Sequence, residues 1–191
     1  MGRNCLGVAS KNVRADLGID VGEMGWVMSA FLGAYALAQV PAGWLAHHIG
    51  SRIALSCYAV AWSVLCAGFY LVGDIWAVLA LQAGFGLAQA GIFPCSAGMI
   101  RHWIPSTQWA FSVGLMGGFM SIGGAIGSAI TGYAIEGIET SWLTTPPVSW
   151  RWVFVGFSVP GFLFAAWFFH WYRDRPEIHS GVNDAERELI R

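Results

Sequence analysis

Met24-Gly-Trp-Val-Met-Ser-Ala-Phe-Leu-Gly-Ala-Tyr-Ala-Leu-Ala-Gln-Val-Pro-Ala-Gly-Trp-Leu-Ala46 is a run of 23 residues without an Asp, Glu, Lys or Arg. At about 1.5 Å of rise per residue, a helix of that length spans roughly 35 Å. That exceeds the hydrocarbon core of a bilayer, about 30 Å. Four further uncharged runs follow, Ile53–Gly73, Ile75–Ile100, Trp109–Ile135 and Trp152–Tyr172. Even the shorter ones reach roughly 31 Å as helices. Inside lipid every backbone polar group needs an internal partner, so these runs are expected to be helices. The alternating polarity of a lipid-facing β-barrel is missing from them.

Composition agrees. The chain of 191 residues is 56% hydrophobic and only 11% charged, against about a quarter charged in soluble domains. Between Met24 and Ile135 the charged residues are Arg52, Asp74 and Arg101 alone. So few charges do not cover the surface of a soluble fold. The net charge of −1 offers no basic patch, and no nucleic-acid partner is expected. Cys5, Cys57, Cys66 and Cys95 are far apart and form no CxxC pair, so they read as small apolar residues of the spans. The N-terminus lacks the pattern of a cleaved signal, and Leu6 stands where a myristoylation signal requires Ser or Thr.

Short polar breaks separate the runs, so neighbouring spans are expected to be antiparallel. One set of loops holds Arg52, Arg101, Arg173 and Arg175. The opposite set holds Lys11, Arg14 and Arg151 together with Asp16, Asp20, Glu23, Asp74, Glu136 and Glu139. The excess of uncompensated arginine places the first set in the cytoplasm. Trp44, Trp76, Trp103, Trp109, Trp150, Trp152 and Trp171 fall near span edges, where indole prefers to sit, and Arg151 between two of them reads as an interface anchor. Gly114 and Gly118, then Gly123 and Gly127, form two GxxxG steps that serve either close helix packing or a flexible gating helix. Pro94 and Pro160 are expected to kink their spans. From Asn4 to Ser10 only seven uncharged residues precede Lys11, roughly 10 Å of helix. This stump reads as the end of a truncated helix. The polar stretch 176–191, with a possible short helix from Asp184 capped by Asn183, reads as a cytoplasmic linker.

Gly43-Trp-Leu-Ala-His-His-Ile-Gly-Ser-Arg52 resembles the loop signature of the major facilitator superfamily, G-x-L-A-D-[RK]-x-G-[RKP]-[RK]. Gly43, Leu45, Ala46, Gly50 and Arg52 match. His47 replaces the usual aspartate, which in the family helps to hold a cytoplasmic gate closed through charge contacts. A neutral imidazole carries no negative charge for that contact. Further stretches resemble the anion:cation symporter branch, which includes sugar-acid, phthalate and vesicular glutamate carriers. Arg3-Asn-Cys-Leu-Gly-Val-Ala9 is similar to the end of its first helix, and Ser29 to Gly43 to its second. Trp103-Ile-Pro105, Ser149-Trp-Arg-Trp-Val-Phe154 and Asp174-Arg-Pro-Glu-Ile-His179 are similar to its later loop motifs. Their order along the chain makes the resemblance specific. It implies an all-α integral membrane fold, the N-terminal half of a major facilitator bundle, with five full transmembrane helices plus a truncated first helix. Residues 1–175 would form that half, and 176–191 a linker toward a missing C-terminal half.

The resemblance also implies a site. The family's fourth helix carries an arginine and a glutamate seven residues apart, implicated in anion binding and proton coupling. Here the matching run is Gln82-Ala-Gly-Phe-Gly-Leu-Ala-Gln89. Two helical turns put Gln82 and Gln89 on one face with Gly86 between them. Glutamine keeps hydrogen bonding but loses the attraction to a carboxylate and cannot exchange a proton. Either the pair hydrogen-bonds between helices, or it lines a cavity for a less charged solute. Arg3 occupies the position of the helix-one arginine, without its aspartate partner. Tyr35 and Gln39, one turn apart, are further candidates for the cavity wall or for interhelical bonding. The expected substrate-binding set is Arg3, Tyr35, Gln39, Gln82 and Gln89; the expected gating loop is Gly43, His47, Gly50 and Arg52.

No catalytic set appears, and no acidic residue lies within the spans, so an enzyme is not expected. His47, His48 and His102 are too few ligands, in the wrong geometry, for a metal, and no cofactor is expected. The chain reads as a multi-pass membrane protein, of a bacterial-type inner membrane by its resemblance. The expected role is alternating-access transport of a small organic anion such as a sugar acid, with membrane lipid and the second half as partners. The competing reading is a non-transporting half-size protein that acts only by pairing with another half.

Overall fold

The computed structural model describes residues 2–140 and 143–175, and the side chains of 4–137 and 145–175. Helix α1 (Gly2–Leu17) leads into α2 (Val21–Ile49) and α3 (Ser51–Gly68), which tightens into a 3₁₀ turn at Phe69–Leu71. Then come α4 (Ile75–Ala90), α5 (Ile92–Trp103) and, after a 3₁₀ turn at Ser106–Gln108, α6 (Trp109–Glu136). A hairpin of β1 (Ile138–Thr140) and β2 (Leu143–Thr145) precedes α7 (Trp150–Trp171). Five stretches are long and apolar enough to cross a membrane: α2, α3 with its turn, α4 with α5, the Ser106–Glu136 stretch, and α7. They correspond one to one with the five uncharged runs.

Each boundary has a local cause. α1 runs past Ser10 through Lys11, Arg14 and Asp16, further than its uncharged stretch. It ends where Gly18 takes φ +67° and the Ile19 N–H reaches back to the Arg14 carbonyl, a Schellman closure that glycine permits. Asp20 and Glu23 then form a reciprocal capping box at the start of α2, at 2.7 and 2.8 Å. Asp74 caps α4 through the Ala77 N–H at 2.8 Å. The fourth span breaks between α4 and α5. Pro94 lacks the N–H that would bond the Ala90 carbonyl, and the helix divides at Gly91, where the Tyr58 ring lies so close that a Cβ would sit 2.1 Å from it. By contrast α2 and α7 continue unbroken through Pro41 and Pro160.

The stretch between α6 and α7, expected to be a loop, contains the antiparallel hairpin, with Ile138 opposite Thr145 and Thr140 opposite Leu143. It adds two short strands outside the spans to an otherwise helical fold. Residues 146–149 are non-helical, as Pro146-Pro147 dictates. The polar stretch 176–191, and with it the short helix expected from Asp184, lies outside the described residues.

α2 packs chiefly on α4, α3 on α7, and α1 on α6. Cys5, Leu6, Ala9 and Val13 form one stripe of α1, buried against Val27 and Phe31 of α2, Phe85 of α4 and Phe154 of α7. Phe69 packs within this cluster, its ring centroid 4.6 Å from that of Phe154 in a tilted pair and 5.5 Å from that of Phe85 edge-on. A second cluster at the opposite end joins Ala46, Ala54, Leu55, Cys95, Phe168 and Tyr172. The four cysteines are thiols, three of them buried in these clusters and Cys57 exposed. Arg151 is more than an interface anchor: it pairs with Asp16, donates to the Val72 carbonyl at 2.9 Å and lies over the Trp150 ring. It ties the ends of α1, α3 and α7 together.

Candidate functional site: an uncharged mid-depth cavity and a polar gate

Asn4 lies 13 residues from the Leu17 end of α1, Tyr35 14 from the start of α2, Gln89 14 from the start of α4, and Gly124 12 from the end of α6. All four distances are measured from the same end of the bundle. At about 1.5 Å per residue, these positions share a depth of roughly 18–21 Å, near the bilayer midplane. They line one cavity of about 300 Å³, together with Phe31, Leu32, Ile92, Phe93 and Met120. None of these lining side chains is charged. The polar residues among them are Asn4, Tyr35 and Gln89.

Close helix contacts hold these groups. Gly86 brings α4 against α2: a Cβ there would meet the Phe31 carbonyl oxygen at 2.4 Å and the Tyr35 nitrogen at 2.8 Å. Gly124 brings α6 against α1, with the Asn4 amide 3.0 Å from where a Cβ would be. Of the expected residues, Tyr35 and Gln89 line the cavity. Gln39 donates to the Tyr35 hydroxyl at 3.3 Å within α2, an intrahelical contact, and faces the exposed side. Gln82 lies in the core at 0% exposure rather than in the cavity wall. Among the described residues neither its amide nitrogen nor its oxygen has a hydrogen-bond partner, and the same holds for the buried Gln89 Nε2. Arg3 belongs to the first turn of α1, but its side chain is outside the described residues. Asn4 was missed because a search for charge passes over an amide; its place as the first polar group of an apolar stump was the available signal.

The expected gating loop assembles at the other end. Gly50 adopts φ +86° and ψ 150° between α2 and α3, a region essentially restricted to glycine. That turn admits the Asp174 carboxylate, which accepts from the Arg52 N–H at 2.9 Å at the N-terminus of α3. Arg52 Nε donates to the Phe169 carbonyl at 2.7 Å, and its guanidinium covers the Phe169 ring at 4.4 Å. Gly43 lies against Pro94, with a Cβ contact of 3.3 Å. His47 lines a separate cavity of about 400 Å³ with Ser51, His102, Asp174 and Arg175. His48 and His102 spend Nδ1 on the Trp44 and Gly98 carbonyls of their own helices, both at 2.8 Å; because a carbonyl only accepts, Nδ1 carries the proton. The Asp174 side chain lines the same cavity as His47. Gly50→Val is expected to lower stability by about 1–3 kcal/mol, from a strained backbone and a clash with Asp174, read as a reduced melting temperature in detergent.

The Major Facilitator Superfamily pattern matches residues 1–190. The chain belongs to this superfamily. It is thus a multi-pass membrane protein, and its relatives are transporters, not enzymes. It is 30% identical to the D-galactonate transporter of Escherichia coli O6:H1 (strain CFT073), over 97% of this chain and 41% of that protein. It is 27% identical to the hexuronate transporter of Escherichia coli K12, over 98% of this chain and 41% of that protein. The chain thus spans about two fifths of the length of these relatives. In fold it resembles a bacterial homologue of the human lysosomal transporter Spinster, crystallised in an inward-facing, occupied conformation. The TM-score is 0.71 at 22% identity, covering 97% of this chain and 43% of the other. Helix α1, α2, the α4–α5 span and α6 line the mid-depth space, whereas α3 and α7 contribute none of its lining residues.

Proposed function

We propose that this chain forms the N-terminal half of a secondary transporter that carries a small organic anion, of the sugar-acid type, by alternating access. The observation that carries the reading is the cavity at membrane mid-depth, walled by the Asn4, Tyr35 and Gln89 side chains of three different helices. Hydroxyl and amide groups suit a polyhydroxylated solute, whose own hydroxyls both donate and accept. The names of the D-galactonate and hexuronate transporters support that class. The missing fixed charge leaves carboxylate recognition to Arg3 or to a second half.

Two spans support a partner half. α2 and the span ending in α6 are the least buried of the five. Gly114 and Gly118 of α6 meet nothing within 4 Å, so this GxxxG step packs no helix of the described chain. A bundle in lipid associates through such close-approach faces. A half-size protein that acts only by pairing uses the same surface. The two readings part in proteoliposomes: uptake by the full-length transporter supports the first, and absence of uptake across a panel of sugar acids counts against it.

Proton coupling through this half is expected to be weak, because glutamine does not titrate. Gln89→Glu places an ionisable carboxyl at mid-depth. Uptake should then rise as pH falls, whereas the natural protein stays nearly flat. An unchanged pH profile in the variant would remove Gln89 from the coupling position.

A further inference from the structure

At the end of the bundle opposite the arginine-rich loops, most charged side chains are committed to structure. Asp16 pairs with Arg151, Asp20 and Glu23 close the capping box of α2, and Asp74 caps α4. Lys11 and Glu136 are not so used: among the described residues neither forms an ion pair. Yet α1 and α6 bring both to one cavity of about 240 Å³, together with Asn12 and a wall that includes Val8, Gly132 and Ile135. Arg14, whose buried Nε has no partner among the described residues, adds positive charge one turn along α1 from Lys11. Val8 is one turn along α1 from Asn4, and Gly132 two turns along α6 from Gly124, both of which line the mid-depth cavity. The two spaces therefore follow one α1–α6 seam. Lys11 is seven residues beyond Asn4, about 10 Å nearer the membrane surface.

We propose that this cavity is an outer subsite that receives a sugar acid before it reaches the mid-depth cavity. The proposal rests on the proposed function and deepens it: Lys11 takes the carboxylate, and Glu136 and Asn12 take hydroxyls. An ammonium only donates and an ionised carboxylate only accepts, so the pair calls for a ligand with both an anionic acceptor and several donors. A polyhydroxy acid carries both. The cation also draws an anion in from solution toward a mid-depth cavity whose own lining is uncharged. A bare inorganic anion satisfies Lys11 but is repelled by Glu136. A zwitterion, whether an amino acid or a lipid headgroup, matches the two charges as well. The seam shared with the amide- and hydroxyl-lined mid-depth cavity favours the polyhydroxy acid.

Lys11 is the only lysine in the chain, which makes the test local. The full-length transporter in phosphatidylcholine nanodiscs is treated with the amine-acetylating reagent sulfosuccinimidyl acetate, and acetylation of Lys11 is read by peptide mass spectrometry. D-galactonate is expected to slow that acetylation saturably. It should do so equally in Gln89→Leu, where the mid-depth cavity has lost its amide. In Glu136→Gln the half-protecting concentration of D-galactonate should rise at least about tenfold, whereas that of propionate, which has no hydroxyls, should not rise. Protection should weaken as salt is added, because an exposed charge pair is screened. A Lys11 that stays unlabelled, or that labels equally fast with and without D-galactonate, overturns the subsite. So does protection that vanishes in Gln89→Leu, which would make it an indirect effect of the mid-depth cavity. Protection by glycine or by added phosphatidylethanolamine at concentrations where D-galactonate gives none overturns the sugar-acid assignment. If D-galactonate uptake persists in any of these cases, the proposed function survives; if uptake is also absent, both fall.

Discussion

Gly86→Val is expected to leave no folded, monodisperse protein after detergent extraction, and Gly86→Ala to melt at a clearly lower temperature. A Cβ on Gly86 would come within 2.4 Å of the Phe31 carbonyl oxygen, 2.8 Å of the Tyr35 nitrogen and 3.0 Å of the Ala34 Cβ. The first two are backbone atoms of α2 and cannot rotate aside. The only relief is separation of α2 from α4, the most extensive helix pair in the bundle. Overpacking a core typically costs about 1–3 kcal/mol, and a clash against two backbone atoms of α2 belongs at the upper end or beyond. Phe31 and Tyr35 also line the cavity, so any surviving protein should bind solute poorly. Gly114→Ala is the control: its Cβ meets nothing within 4 Å, and its melting temperature should match the parent's. Equal melting of Gly86→Val and parent would show that α2 and α4 do not approach at this point.

Gln82→Met is expected to act in the opposite direction. Gln82 is completely buried, and both of its polar side-chain atoms lack partners among the described residues. An unpaired buried amide costs about 1–3 kcal/mol. Methionine has nearly the same shape and no such demand. The melting temperature should therefore rise. A natural sequence that retains so unfavourable a side chain points to a use for it. If Gln82 meets solute or a partner helix in another conformation, the stabilised variant should also lose uptake. A fall in stability would instead mean that the Gln82 amide is satisfied in the folded protein.

The spans were legible because lipid imposes one strong rule, the exclusion of charge, and sequence displays charge directly. Their interruptions were harder to place. Pro94 announced a kink, but its location at Gly91 depends on the Tyr58 ring from another helix. α1 extends through Lys11, Arg14 and Asp16 because its Arg14–Asp16 end lies near the membrane edge, where the rule no longer applies. The short hairpin after α6 carries no alternating pattern to betray it.

At the site, spacing identified a common face but not a common neighbour. Gln82 and Gln89 are seven residues apart, which also separates them by about 10 Å along the axis. One reaches the cavity; the other lies among core side chains nearer the Asp16 end. Tyr35 was found because it is polar within a span. Asn4 and the contact of Asp174 with Arg52 were not: the latter joins residues 122 positions apart, a distance that no local pattern encodes.

The central claim is that the uncharged mid-depth cavity belongs to the solute path. Uptake of radiolabelled D-galactonate by the full-length transporter in proteoliposomes, parent against Gln89→Leu, tests it most directly. A hydrogen bond to a charged or strongly polar solute contributes about 1.5–3 kcal/mol, so the account predicts at least a roughly tenfold loss of uptake with a melting temperature no lower than the parent's. Uptake equal to the parent's in a well-folded Gln89→Leu protein would contradict it.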